Sequence, residues 1–347
     1  MIDPVVRKYA LRAMLTLPTP ILRALSGGGV TYLGGRTLDP RMQFIAGQAR
    51  GRPPLTSATP VEARRLNAAG LASLAGRLDP EVRVEILTVP GADGPVGARA
   101  YRPKRQNPRA PLLVYAHFGG GVIGDLNTSE AFCGIMAKVA GCPVLSVDYR
   151  LAPEHRFPAG LNDMLAAYRW ARDQGPRFGA PLGAVAVGGD SIGGNFAAVI
   201  SQEMQRADEP QPVFQLLIYP AVDAADESPS MTTYAQAFPL TRDVMAWFMG
   251  HYLRTEDSPA DPRLSPGRSG RLSGLAPAVV ATAGFDALLD QGEAYARSLR
   301  AAGVPTSYRC YDRLSHGFTA FTGAVPAADA ACRDIAIRVR TVIEGGA

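Results

Sequence analysis

The chain is poor in the residues that build metal centres and disulfide frameworks. Its 347 residues include only four cysteines, Cys133, Cys142, Cys310 and Cys332, and they form no CxxC pair and no His/Cys cluster at ligand spacing. Zinc and a disulfide scaffold are thereby excluded, and a reducing cytoplasm is the expected compartment. Charge of one sign is also lacking. Basic residues number 36 and acidic 31, a net of +5 spread along the whole chain, and no basic run is dense enough to track a phosphate backbone, so nucleic acid is not an expected partner. No apolar run approaches the roughly 20 residues of a membrane span, and no stable membrane association is expected. The stretch from Tyr9 to Leu17 follows Arg7 and Lys8 as a signal peptide would. Arg12 interrupts it, Pro18 and Pro20 break it and no small-x-small cleavage site follows, so it reads as a packing or lid helix. There are no internal repeats and no low-complexity tracts.

What is present is an alternation of apolar strands and helices. Residues 1–78 are rich in Ala, Leu, Arg and Gly and punctuated by prolines, which predicts several short helices. From Val82 the pattern changes to period two, with VRVEILTV, a turn through GADGP and VGARAYR forming a hairpin signature. Strands then follow at Leu112 to Ala116, Pro143 to Val147, Ala184 to Val187, Phe214 to Tyr219, Ala278 to Ala283 and Thr306 to Tyr311. Helices fall at Ser129 to Val139, Ala159 to Gln174, Asn195 to Arg206 and Ala327 to Ile343. Such alternation implies an α/β fold with a mainly parallel sheet covered on both faces. A polar, proline-marked insertion at 224–268, carrying an aromatic-rich helix that Thr241 could cap, interrupts it. The chain thus divides into an N-terminal cap segment (1–78), a first core half (79–223), a second cap segment (224–268) and a second core half (269–347).

Two glycine-rich loops carry chemistry. Ser191 lies between Gly189 and Gly193 in GGDSIGGN, a GxSxG frame at a strand-to-helix turn, where a nucleophilic serine needs neighbours nearly free of side chain. The second loop, HFGGGVIGD, can be read in two ways. Gly119, Gly121 and Gly124 satisfy GxGxxG, with Asp148 ending the next strand where a dinucleotide fold places its ribose-binding acid. Asp125, however, would repel a pyrophosphate at the helix N-terminus. Alternatively, the consecutive glycines beside His117 aim N–H groups at an oxyanion.

The oxyanion reading requires a histidine base and a carboxylate further along, in the order Ser, Asp, His. Histidine is scarce, with four in all. His117 and His155 precede the serine and His251 falls on the insertion helix, leaving His316 in LSHGF, directly after a strand. Asp286 follows the strand AVVATAG at Phe285 and is the candidate acid, with Asp290 as the fallback. Asp190, beside the serine, is expected to tie down the turn.

With these residues in place the chain resembles the hormone-sensitive lipase family of α/β-hydrolases, in particular its bacterial GDSAG-type esterases. The resemblance runs from about Leu112 to the C-terminus through YAHFGGGVIGDL, VDYRLAPEHRFPAGLNDMLAAYRW, GDSIGGN, AGFDALLDQGEAYARSLRAAGV and SHGF. It implies an α/β-hydrolase fold with a helical cap and a Ser191, Asp286, His316 triad. It further implies a carboxylesterase acting on small-molecule esters of short to medium acyl chains, with no metal or organic cofactor, and a homodimer joined through the strand Thr306 to Tyr311. Oxyanion donors map to Gly119, Gly120 and Ile192, or to Gly120 and Gly121 if the register slips. The chain departs from the family where HGGGF becomes HFGGG, exchanging Phe118 and Gly121, and where Ile192 replaces the usual Ala, which is expected to narrow the space beside the nucleophile. Phe118, Gly121, Met245, Trp247 and Phe248 are the expected pocket residues. A ligand-binding protein on the same fold is the alternative, and the presence of His316 counts against it.

Overall fold

The computed structural model describes residues 4–345. Four helices open the chain, α1 (Pro4–Leu15), α2 (Thr19–Leu25), α3 (Pro40–Ala49) and α4 (Pro60–Leu74). Between α2 and α3 lies a two-stranded ladder that the sequence pattern did not announce, β1 (Tyr32–Leu33) and β2 (Arg36–Thr37). The core follows with the hairpin β3 (Val82–Gly91) and β4 (Gly94–Pro103), then β5 (Leu112–Ala116), α5 (Glu130–Ala140), β6 (Val144–Asp148) and α6 (Ala159–Gln174). Next come β7 (Val185–Asp190), α7 (Ile192–Arg206) and β8 (Gln215–Ile218). The insertion contributes α8 (Pro229–Thr233) and α9 (Arg242–Tyr252), and the chain closes with β9 (Ala278–Phe285), α10 (Leu289–Ala301), β10 (Thr306–Ser315) and α11 (Pro326–Ile343).

Eight strands form one sheet in the order β10-β9-β8-β7-β5-β6-β4-β3. Every pairing from β10 to β6 is parallel, and only the hairpin at the far edge runs antiparallel. The sequence explains this. β5, β7 and β9 are buried along their whole length, so they read as continuous apolar runs, as strands covered on both faces must. Their side chains still alternate. Leu112, Val114 and Ala116 face a core shared with α6, α7 and α10, while Leu113 and Tyr115 face one shared with α5 and α11.

One predicted helix start moves by three residues. Helix α7 begins at Ile192, ahead of the expected Asn195, because Gly193 and Gly194 serve close packing there and do not break the helix. Helix α9 starts where the cap predicts, with the Val244 N–H donating to Thr241 Oγ1 (3.2 Å). The four cysteines are free, and burial pushes the Cys142 thiol up to about 12. No helix among the described residues is long and apolar enough to cross a membrane.

The VDYRLAPEHRFPAGLND block is structural. Asp163, with no exposed side-chain surface, accepts from Arg150 Nε (2.8 Å) and from the N–H groups of Ala92 (2.9 Å) and Arg150 (3.1 Å). It thereby joins the hairpin turn, the strand end and α6. Removing this buried carboxylate leaves the Ala92 and Arg150 N–H groups without an acceptor and breaks the Arg150 pair, so Asp163→Ala is expected to lower unfolding free energy by roughly 3 kcal/mol. Urea melts check this, and an unchanged midpoint would refute it.

Candidate active site

Strand β7 ends at Asp190 and the chain turns at once into α7. Ser191, on the turn, has φ 59° and ψ −116°, a left-handed value that costs a non-glycine residue of order 1–3 kcal/mol and persists only where the surroundings over-determine it. Here they do. A Cβ on Gly193 would lie 2.1 Å from the Ala116 carbonyl oxygen, and one on Gly189 would lie 2.3 Å from the Gly193 carbonyl carbon. Strand β5, strand β7 and the first turn of α7 therefore meet backbone to backbone, and the serine between them has one way to point.

His316 and Asp286 arrive from neighbouring strands. Asp286 follows β9 and His316 follows β10, so the parallel sheet delivers both to the C-terminal edge where β7 delivers the serine. With the proton on Nδ1, the imidazole donates to Asp286 Oδ2 (2.7 Å) and Nε2 accepts from Ser191 Oγ–H (3.0 Å). The second carboxylate oxygen of Asp286 accepts the Leu288 N–H (3.0 Å). All three side chains are buried, Asp286 almost completely. The fallback acid has another task, because Asp290 accepts the Ser230 N–H (2.8 Å) and anchors α8. Asp190 ties down the turn as expected. Its Oδ2 accepts from Tyr219 Oη (2.9 Å) and Thr319 Oγ1 (2.8 Å), linking the serine turn to the histidine loop, and burial raises its pKa.

The glycine loop folds toward the serine. The Val122 and Ile123 N–H groups return to the Gly119 carbonyl (both 3.0 Å). Among the described residues no acceptor engages the N–H of Gly119, Gly120 or Ile192. Gly119 and Gly120 line the same cavity as Ser191, and Gly121 does not. The dinucleotide reading fails on this geometry. Helix α5 begins only at Glu130, after a turn in which Asp125 accepts the N–H groups of Asn127 and Thr128, so no helix N-terminus meets the glycines. His117, buried and stacked on Tyr149 at 4.5 Å, is part of the packing.

A cavity of about 200 Å³ opens over Ser191 and His316. Phe118 and Phe248 line it as expected, whereas Gly121, Met245 and Trp247 do not. Helix phase is the reason for the last two. Val244 and Phe248, one turn apart, share the cavity face of α9, while Trp247 packs its ring on those of Phe248 and His251. At Gly121 a Cβ would stand 2.6 Å from the Tyr252 ring, so α9 fills the place where the resemblance has an aromatic. Ile192 is 6% exposed and packs into the α6–α7–α10 core, so its side chain does not narrow the cavity. Sequence reasoning missed Phe238, Leu240 and Val244 of the insertion, and Asn67, Leu71 and Leu74 of α4. Their i, i+4, i+7 spacing on α4 was the available signal. A larger cavity, about 360 Å³, lies between α1, α5 and α11, lined by ion pairs such as Lys138 with Asp79 and Arg333 with Asp329, and shares no residue with the cavity over Ser191.

A family described as the alpha/beta hydrolase fold matches residues 113–320. The chain belongs to the α/β-hydrolase family. Relatives of this α/β-hydrolase include carboxylic ester hydrolase LipN of Mycobacterium tuberculosis, 43% identical over 87% of this chain and 82% of the relative. Ethyl acetate hydrolase of Pseudomonas putida is 35% identical over 82% of this chain and 91% of its own. An ester-hydrolase from the metagenome of Lake Arreo, 36% identical, superimposes with a TM-score of 0.84 over 88% of this chain and 98% of its own.

The fit of Tyr252 against Gly121 makes the two exchanged positions unequal. Gly121→Phe forces a side chain onto φ +71° and into the Tyr252 ring, which is expected to destabilise by roughly 2–5 kcal/mol. Phe118→Ala, at the cavity wall, should cost far less. Chemical denaturation of the two variants tests this, and equal losses would contradict it.

Proposed function

We propose that this α/β-hydrolase is a serine carboxylesterase of the GDSAG type within the hormone-sensitive lipase family, with Ser191 as nucleophile, His316 as base and Asp286 as orienting acid. The observation that carries the reading is the unbroken chain of hydrogen bonds from Ser191 through His316 to Asp286 at the floor of an apolar cavity. Carboxylic ester hydrolases among the relatives support it.

In the first step Ser191 Oγ attacks the ester carbonyl carbon as His316 Nε2 takes its proton, and the Asp286 carboxylate stabilises the imidazolium. The oxyanion accepts hydrogen bonds from the N–H groups of Gly119, Gly120 and Ile192. Collapse expels the alcohol, which leaves with the proton from Nε2. In the second step Nε2 deprotonates a water that attacks the acyl-enzyme, and the acid departs with Ser191 restored. Ser191, His316, Asp286, the substrate and water account for every proton and electron pair. An apolar cavity of 150 Å³ is enough for benzene, so about 200 Å³ suits an acyl chain of a few carbons or a small ring. The free thiols fit the reducing cytoplasm, where we place the protein.

Wild-type protein is expected to release a burst of p-nitrophenol from p-nitrophenyl acetate. Ser191→Ala should abolish the burst, and Asp286→Asn should lower kcat by about 10⁴ through the wrong histidine tautomer. A burst retained in Ser191→Ala would refute the assignment.

We also propose a homodimer through β10. It is the sheet's edge strand, and β2 lies beside its far end at Asp312, leaving Thr306 to Tyr311 open to a second copy. Light scattering should give twice the 36.7 kDa of the chain. A monomer at micromolar concentration would refute it.

A further inference from the structure

Helix α4 turns one face to the cavity over Ser191, and that face carries Asn67, Leu71 and Leu74. Around it the lining is aliphatic or aromatic, from Leu55, Phe118, Ile123, Leu240, Phe248 and Phe321. Apart from Ser191 and His316, Asn67 is the only lining residue among those described whose side chain can form a strong hydrogen bond. Its amide is half-buried and has no partner among the described residues.

Asn67 is also rigidly placed. A capping box starts α4, with Thr59 Oγ1 accepting the Glu62 N–H (3.3 Å) and Glu62 Oε2 accepting the Thr59 N–H (3.0 Å). One turn before Asn67, the Arg64 guanidinium donates to the carbonyls of Val122 (2.9 Å) and Ala152 (2.7 Å) and pairs with Glu154 (2.6 Å), fastening α4 to the glycine loop. At the other end the Leu74 carbonyl accepts the Gly323 N–H (3.0 Å), and Arg12 donates to the carbonyls of Ser73 (3.0 Å) and Ala75 (2.7 Å). The helix is held at one end to the oxyanion loop and at the other to the segment after His316. An unpartnered amide on such a fixed wall, within an otherwise apolar pocket, is the arrangement that orients a ligand through one polar contact.

We propose that Asn67 is a specificity-determining residue that selects esters carrying a neutral hydrogen-bonding oxygen, such as a keto, hydroxyl or ether group, on the moiety lodged against α4. The inference rests on the esterase reading. Neutrality follows from the lining, where His316 is the only ionisable side chain among the described residues and is committed to Asp286 and Ser191, so a charged substituent would be desolvated without a partner. The Asn amide offers both donors and an acceptor, so it can serve a carbonyl, an ether or a hydroxyl.

Matched esters test the proposal. On the acyl side, p-nitrophenyl pentanoate is compared with its 4-oxo derivative, and hexanoate with its 5-oxo derivative. On the alcohol side, n-butyl butyrate is compared with 2-methoxyethyl butyrate. The readout is the ratio of kcat/KM within each pair for wild type, Asn67→Leu and Asn67→Ala. One neutral hydrogen bond is expected to change the ratio by roughly three- to tenfold. In at least one pair both variants should lose that preference for the oxygen-bearing ester while still hydrolysing the unsubstituted one. Unchanged ratios in all pairs, with the unsubstituted esters still turned over, overturn the role of Asn67 and leave the esterase reading intact. Absence of turnover by wild type on every ester overturns both.

Discussion

The site depends on one steric constraint, the backbone contact between the first turn of α7 and strands β5 and β7. A Cβ at Gly193 would come within 2.1 Å of the Ala116 oxygen, so the helix can lie that close only while the position is bare. This proximity holds Ser191 in a left-handed conformation that it would not choose alone. With the hydroxyl fixed, the approach of Asp286 and His316 becomes a matter of sheet order. Strands β8, β9 and β10 run parallel to β7 in sequence along one side, and the residues that leave their ends converge on the serine. The strain at one residue is therefore borne by the central strands β5, β7 and β9, which are buried from end to end.

A second buried contact keeps the loops that carry Ser191 and His316 in step. Asp190 precedes the serine and Thr319 lies just past His316, and both meet at the hydroxyl of Tyr219, whose ring also rests 4.7 Å from the imidazole. Any shift of the serine turn would break hydrogen bonds to a fully buried carboxyl, at a cost larger than the small displacement itself would suggest. The Ser191 and His316 loops therefore move together.

How much of this the sequence revealed depended on the range of the interactions. Ser191, Asp286 and His316 were legible because each directly follows a strand, and the ends of parallel strands gather at one edge whatever the loops do. The expected α7 began only at Asn195, after Gly193 and Gly194, because the reason for these glycines is a neighbour remote in sequence, Ala116 in one case and Pro220 in the other. The pocket was the least legible part. The large Met, Trp and Phe side chains of the insertion suggested Met245 and Trp247 beside Phe248, but the phase of α9 selects Val244 and Phe248, and α4 supplies a wall from residues remote in sequence. The two-residue strands β1 and β2 are too short to produce any periodicity.

The exchange of Phe118 and Gly121 becomes intelligible only with α9 in place. Tyr252 is 3% exposed, packs edge-on against Phe157 at 5.8 Å and presses its ring against Gly121. An aromatic side chain at 121 would compete with it for one volume, and close-packed interiors hold one ring there, not two. Moving the phenyl group to 118 resolves the conflict and brings a ring to the wall of the cavity over Ser191. Gly120 is confined by the same helix, since a Cβ there would meet Phe248 at 2.4 Å. Helix α9 thus constrains the glycine loop on one side as the sheet constrains the serine on the other. The composition of the loop records the cap that covers it, and a change in α9 would have to be matched by a change in the glycines.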